Sequence, residues 1–372
     1  MFGDTGGMDR LLEAHQRAAA FYAGQLARLP CGPAVDYLRS RGIPRGLAGA
    51  RPWRLGYAPP GRAGLLDHLR RLGFTDDELV TAGLAVARRG RPVDAFRDRV
   101  MFPIRDRDGA VRAFVGRDLS GDPRVPRYRN SATTPVFTKS EHLYALAESV
   151  PADGAPGAVV LVEGPADAVA LSRLPPGPEG RWAAVSTCGT ALATGQVALL
   201  ATAVRPGTAV VVCFDPDAAG RRAADRAYQL LRGWEGPVDA VVLPAGADPA
   251  ALVARSGPRG ADRMLRAART SLLAALVSAR LAGRRLDEIE GRVTALRAAG
   301  ALLRRSVELA PRDLRLLPEI ARSLSVGLGF DGTTVLESVY GPPHPPARRA
   351  GGSETEPGGE DLAVVERVTE QQ

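Results

Sequence analysis

Two rhythms of apolar and polar residues divide the chain. In the first third they are mixed. Residues 9–29 space their apolar side chains as a helix does, with FYAGQLARL closing the stretch, and AVDYLRSRGI repeats that spacing until Pro44 stops it. LLDHLRRLGF and TDDELVTAGL predict two short helices separated by Gly73, the second capped by Thr75. Between about 93 and 119 the period shortens: RVMFPIRDRDGAVRAFVGRDL is an apolar run, an Asp-Gly turn and a second alternating run, which predicts a hairpin. From 157 the rhythm becomes strand, turn, helix. AVVLVEG leads into PADAVALSRL, AAVSTCGT into ALATGQVALLATAV, AVVVCFDPD into AAGRRAADRAYQLLRG, and VDAVVLPAGAD ends the series. Near-continuous Val and Ala runs between helices predict a parallel sheet covered on both faces. Residues 262–336 read as helices with little strand signal, and the Pro-, Gly- and charge-rich stretch from 341 to 372 reads as a disordered tail. The expected class is α/β: a mixed α/β N-terminal subdomain over 1–150, a Rossmann-like parallel sheet over 157–255 and a helical subdomain over 262–336.

The strand ends carry the first chemical signal. In a parallel sheet ligands bind outside the carboxyl ends of the strands. Glu163 follows VVLV, Asp215 and Asp217 follow VVVCF, and Asp248 follows VVLPAGA; Asp167 lies one helical turn beyond Glu163. Gathered at one sheet edge, these five acids would repel one another unless a hard divalent cation, Mg²⁺ or Mn²⁺, neutralised them. For each acid taken singly, a helix N-cap is the commoner role, and Pro165 and Pro216 stand where a helix start tolerates proline. The loop Thr187-Cys188-Gly189-Thr190 precedes another helix and would present amides to a phosphate.

Charge changes the picture more by place than by amount. The chain carries a net +8, and residues 1–150 hold 24 Lys and Arg against 16 Asp and Glu, whereas residues 151–372 hold 25 against 25. Within the first part, residues 88–139 contribute 13 basic and 6 acidic side chains. Such a segment is either a solvated face or the footprint of a polyanion. Lys139 is the sole lysine among 49 basic residues, so that position either escaped an arginine bias by chance or requires a compact ammonium. Three scattered cysteines and four histidines form no zinc spacing and suit a reducing cytoplasm. No apolar run is long enough for a membrane span, no membrane partner is expected, and MFGDTGGMDR has no leader-like pattern.

The text EGPAD at 163–167, DPDAAG at 215–220 and ADP at 247–249 resembles the TOPRIM arrangement of topoisomerases and primases. FYAGQL, YLRSRGI, LGYAP, DAFRDRVMFPIRDRDG, VGRDL, RYRNSATTPVFTKSEHLYAL, CGTAL and DAAGRRAADRA then follow in the order seen in bacterial DnaG-type primases, a resemblance covering residues 11–255 and extending toward 335. It implies a TOPRIM domain over the central sheet and a core that makes short RNA primers on single-stranded DNA by metal-dependent nucleotidyl transfer. By that resemblance Glu163, Asp167, Asp215, Asp217 and Asp248 match metal-binding acids. Arg99, Arg117, Arg127, Tyr128, Asn130 and Lys139 match the basic groove and nucleotide-contacting motifs, with Glu163, Asp215 and Lys139 the catalytic candidates. Partners implied are single-stranded DNA, nucleoside triphosphates and a replicative helicase or separate template-recognition protein.

Departures from the pattern are Pro216 between the paired acids where glycine is usual, Pro165-Ala166 where Tyr-Met is usual, and Ala250-Ala251 where another acid often follows Asp248-Pro249. Neither a zinc-binding module before the core nor a helicase-binding domain beyond 340 is expected, so the reading is a stripped core, from a plasmid, phage or integrated element, or one that works with separate proteins. Two other functions use the same residues: a TOPRIM nuclease, and a non-catalytic DNA-binding replication accessory, which the alanine at 250 favours.

Overall fold

Helix Thr5–Arg28 shows why the N-terminal third folds as it does. Its Leu11, Ala14, Ala18 and Tyr22 recur at three- and four-residue intervals and are all buried. They pack on a four-stranded antiparallel sheet in a computed structural model that describes residues 5–341 apart from residues 89, 190, 245 and 310. The strands of this region are β1 (Gly56–Ala58), β2 (Ala85–Arg88), β3 (Arg91–Asp94), β4 (Arg99–Arg105), β5 (Val111–Asp118) and β6 (Tyr128–Asn130). The sheet has the order β1-β4-β5-β6, while β2 and β3 form a separate ribbon. Gly56 lets β1 lie against the helix, because a Cβ there would fall 2.4 Å from Tyr22 Cβ.

The hairpin expected between 93 and 119 is β4 and β5. Its turn depends on Gly109 at φ 83° and on Asp106, whose Oδ1 accepts the amides of Asp108 at 3.1 Å and Ala110 at 2.9 Å. MFPI does not alternate because both faces of β4 are covered. Met101 and Phe114 face the first helix, whereas Val100, Phe102 and Ile104 belong to a second cluster shared with the next domain. Helices Gly64–Arg71 and Asp76–Thr81 also form as expected, the second with a capping box between Thr75 and Glu78.

The central sheet contains β7 (Ala158–Val162), β8 (Trp182–Ser186), β9 (Val210–Cys213), β10 (Val238–Val241) and β11 (Arg269–Ser271), in the order β11-β10-β9-β7-β8. The first four are parallel and β11 runs antiparallel at the edge. Ala158, Val160 and Val162 of β7 pack with helices Pro165–Leu171 and Pro249–Ala267, while Val159 and Leu161 pack with helices on the opposite face. Burial on both faces explains the unbroken Val runs.

One feature departs from expectation. β11 lies inside the stretch read as helical; Arg-Thr-Ser has no apolar alternation, and Arg269 anchors it by donating Nε to Asp239 at 2.7 Å. The stretch Pro249–Ala267 consists of two helical segments that meet at a kink at Gly257 (φ 66°) and Pro258, inside the 255–262 junction. Helices Leu272–Leu281, Ile289–Leu309, Leu317–Leu328 and Gly332–Tyr340 complete the fold. The tail expected from 341 onward lies, beyond Gly341 itself, outside the described residues.

Candidate active site

The carboxyl ends of β7 and β9 meet because the strands are neighbours, and this places Glu163 beside Asp215. Glu163 Oε1 accepts the amide of Asp215 at 3.1 Å. Both residues are half-buried, and no hydrogen bond reaches the Asp215 carboxylate from the described residues. Asp167 is buried on helix Pro165–Leu171, and its Oδ1 accepts the amide of Ala250 at 3.1 Å. Asp248 begins helix Pro249–Ala267, receiving the amide of Ala251 at 2.6 Å and an ion pair from Arg41. Glu163, Asp167, Asp215 and Asp248 line one cleft of about 100 Å³ together with Arg41, Arg127, Tyr128 and Gly189.

Asp217 stands apart. It is exposed, lies off this cleft, and caps helix Ala218–Leu230 through 2.8 Å bonds from Ala219 and Gly220. The capping role weighed from sequence is therefore made by Asp217 and Asp248, and not by Glu163, Asp167 or Asp215. Gly220 allows the helix to close on the acid loop, since a Cβ there would lie 1.9 Å from the Asp215 carbonyl oxygen. Ala250 fills the position where an additional acid was sought; it is fully buried and contributes only its amide.

Burial and mutual repulsion disfavour the charged forms of three of the acids. Burial first, then Asp248, pushes Asp167 up to about 7. Burial followed by Asp248 and Asp217 raises Asp215, and burial followed by Asp215 raises Glu163. Against these, burial disfavours the charge on Arg41, but its hydrogen bond and attraction to Asp248 outweigh that and raise its pKa.

The opposite wall comes from the N-terminal subdomain. Arg127 is exposed on the cleft and Tyr128 half-buried beside it. Tyr37 shares a 3.1 Å hydroxyl contact with Tyr128, and the Arg117 guanidinium lies 5.1 Å from the Tyr37 ring centre and 5.6 Å from that of Tyr128. Arg99 and Asn130 are spent on the scaffold. Arg99 is buried, donating to the carbonyls of Gly116 at 3.0 Å and Pro126 at 3.1 Å, with Asp118 3.5 Å away. Asn130 Nδ2 donates to the Cys188 carbonyl at 3.1 Å. Lys139 is half-buried, makes no ion pair among the described residues, and has its pKa lowered by burial. None of Arg99, Arg117, Asn130 and Lys139 lines the acid cleft. Of the loop 187–190, Cys188 is held at φ 60° and Gly189 reaches the cleft, while Thr190 lies outside the described residues.

Tyr37 and Arg41 were missed as site residues. They follow one another within YLRSRGI, yet Arg41 meets Asp248 across 207 positions of sequence, which no local pattern reveals. For a divalent cation the donor set is chemically apt: oxygen only, buried or half-buried within the cleft, and mutually repelling. Among the described residues no three Asp, Glu, His or Cys side chains are close enough to hold an ion unaided. The set therefore suits a cation that keeps waters and takes phosphate oxygens.

Comparisons with known proteins agree with this layout. A family described as the DNA primase catalytic core, N-terminal domain, matches residues 21–150, and a Toprim-like family matches residues 160–253. The DNA primase of Mycolicibacterium smegmatis is 36% identical over 334 residues, covering 88% of this chain and 50% of its own length. That of Streptomyces coelicolor is 35% identical over 302 residues, covering 80% of this chain and 45% of its own length, so the chain spans about half of these relatives. Among solved structures, the RNA polymerase domain of Mycobacterium tuberculosis primase DnaG in complex with double-stranded DNA superposes with a TM-score of 0.70 at 33% identity, covering 87% of this chain and 99% of that one. A DnaG primase catalytic domain bound to single-stranded DNA gives a TM-score of 0.67 at 29% identity, covering 89% and 100%. With a primase-core family on the N-terminal side of the cleft, a Toprim-like family on the acid-bearing side, and near-complete coverage of a primase RNA polymerase domain at 33% identity, the chain belongs to the DnaG primase family and corresponds to its catalytic core.

Proposed function

We propose that this chain is a DNA primase core that synthesises short RNA primers on single-stranded DNA from nucleoside triphosphates. The observation that carries the reading is the single cleft in which Glu163, Asp167, Asp215 and Asp248 face Arg127 and Tyr128. Phosphoryl transfer needs positioning and charge neutralisation more than covalent groups, and this cleft offers acids on one wall and cations on the other. Glu163, Asp167, Asp215 and Asp248 would contribute oxygens to a Mg²⁺ or Mn²⁺ ion that also keeps waters and takes phosphate oxygens, and Asp217, which lies off the cleft, would act on it through its charge or through a bound water. When bound, that ion would lower the pKa of the primer hydroxyl and stabilise the pyrophosphate leaving group. Arg127 and Arg117 would bind phosphate oxygens, and the Tyr37 and Tyr128 rings would fix the guanidinium of Arg117. Lys139 would supply an ammonium whose depressed pKa reflects a desolvated site.

The test is primer synthesis by Asp215→Asn. Synthesis is expected to fall at least a hundredfold while single-stranded DNA binding stays within about twofold, a loss of roughly 3 kcal/mol in the transition state only. Full synthesis by this variant would end the carboxylate reading. A second reading, a non-catalytic DNA-binding accessory, draws on the alanine at 250 and on the engagement of Asp248 by Arg41. It predicts no primer from the wild-type chain at any Mg²⁺ or Mn²⁺ concentration, with DNA binding intact.

A further inference from the structure

Arg41 has a role that the two walls of the cleft do not by themselves assign. It leaves helix Pro33–Ser40 at its C-terminal end, lies with its guanidinium 5.6 Å from the Tyr37 ring centre, and pairs with Asp248. Its side chain and that of Asp248 are 23% and 25% exposed, so the pair is mostly withdrawn from water and weakly screened. Among the described residues, Arg41 is the only basic residue lining the cleft that forms an ion pair with one of the cleft acids. The acids, in contrast, repel one another.

We infer that Arg41 is a built-in counter-ion: in the metal-free protein it occupies the electrostatic place of the divalent cation, and it must release Asp248 when the cation binds. The inference rests on the cation-binding reading of the acids. Two physical facts favour exchange over a permanent clamp. Arg41 reaches Asp248 on a long side chain from the end of a short helix in the other subdomain, so it can swing without moving the sheet. Asp248 keeps its place through its backbone and its cap bond to Ala251, which do not depend on Arg41. Asp167 is likewise tethered to the amide of Ala250. Losing the guanidinium therefore leaves the acids positioned and makes the cleft more negative by one charge, which strengthens attraction for a divalent ion. The same guanidinium, once freed, stands at the cleft mouth as a donor for a phosphate oxygen.

Mn²⁺ binding, read by the loss of the free-ion paramagnetic resonance signal, tests this without any activity measurement. Arg41→Gln is expected to bind Mn²⁺ about tenfold more tightly than the wild-type chain, and its metal-free form to melt at a lower temperature because the acids lose their counter-charge. Unchanged or weaker Mn²⁺ affinity in a folded Arg41→Gln variant overturns the counter-ion role and leaves the cation-binding reading standing. If Arg41→Gln does not fold, the wild-type chain decides in a Mn²⁺-soaked crystal. Arg41 separated from Asp248 beside a bound ion supports the inference; the pair intact beside a bound ion overturns it. No Mn²⁺ bound by the wild-type chain in either experiment removes the cation-binding reading, and the inference with it.

Discussion

At the scale of single residues, the most informative group is Asp167. A carboxylate pushed up to about 7 by burial and by Asp248 holds its proton in the folded, metal-free protein well above the pH at which the unfolded chain releases it. Below about pH 4 both states are protonated and the group costs nothing. As pH rises from there toward 7 the unfolded state binds fewer protons, so folding stability falls, and above 7 the whole cost is present. Asp167→Asn keeps an oxygen for the Ala250 amide and removes the charge. In EDTA at pH 8 it is expected to stabilise the protein by about 2–4 kcal/mol, the order set by a shift of roughly three units, with the gain shrinking to nothing near pH 4. Thermal unfolding across that pH range measures it, and an equal gain at both ends would mean that charge is not the cause. Lys139, by contrast, was legible as an oddity of composition, yet the structure spends its neighbourhood differently: its carbonyl accepts from Gln196 at 3.2 Å and its amine is desolvated away from the acid cleft.

At the scale of elements, much of the fold could be read from the chain because local rules and packing agree. Thr75 and Glu78, Asp106 and Gly109, and the Val runs of β7 and β9 each state their structure within a few residues. What was illegible needed distance. β11 forms because β10 offers an open edge and Arg269 finds Asp239, and nothing in Arg-Thr-Ser announces it. Glu163, Asp167, Asp215 and Asp248 were legible as strand-end or first-turn acids, whereas Tyr37 and Arg41 enter the site only when two subdomains pack. Asp217 caps helix Ala218–Leu230 with Oδ1, while Oδ2 takes no hydrogen bond among the described residues and, under the proposed function, would also serve the cation. Substitution separates the two roles. Asp217→Ser keeps a capping oxygen and should stay within about 0.5 kcal/mol of the parent, whereas Asp217→Ala should lose about 1 kcal/mol. Both should weaken Mn²⁺ binding severalfold, because both delete the carboxylate. Wild-type Mn²⁺ affinity in a stable Asp217→Ser protein would reduce Asp217 to a cap.

At the scale of the whole molecule, the excess positive charge lies in the subdomain that faces the acids, not in the one that bears them. Residues 1–150 carry the imbalance and residues 151–372 balance to zero. Yet many of these arginines are internal fasteners: Arg99 is buried on backbone carbonyls, Arg105 pairs with Glu148 at 2.8 Å and Arg112 with Asp106 at 2.6 Å. Under the proposed function the polyanion surface is therefore narrower than the count suggests, and it should centre on side chains such as Arg127, which is exposed and forms no ion pair among the described residues. If the chain binds single-stranded DNA as proposed, binding releases counterions, and its logarithmic affinity should fall linearly with the logarithm of salt, by roughly 0.7 per phosphate neutralised. Arg127→Ala should lower that slope by about 0.7, as one lost phosphate contact does. Arg322→Ala, which removes an equally exposed guanidinium from helix Leu317–Leu328, should leave the slope unchanged. Fluorescence anisotropy across a salt series measures both. Equal slopes for the two variants would mean that binding responds to net charge alone. A change confined to Arg127 would locate the nucleic acid on the wall opposite the carboxylates, where a primer end and a template need to lie for nucleotidyl transfer to occur.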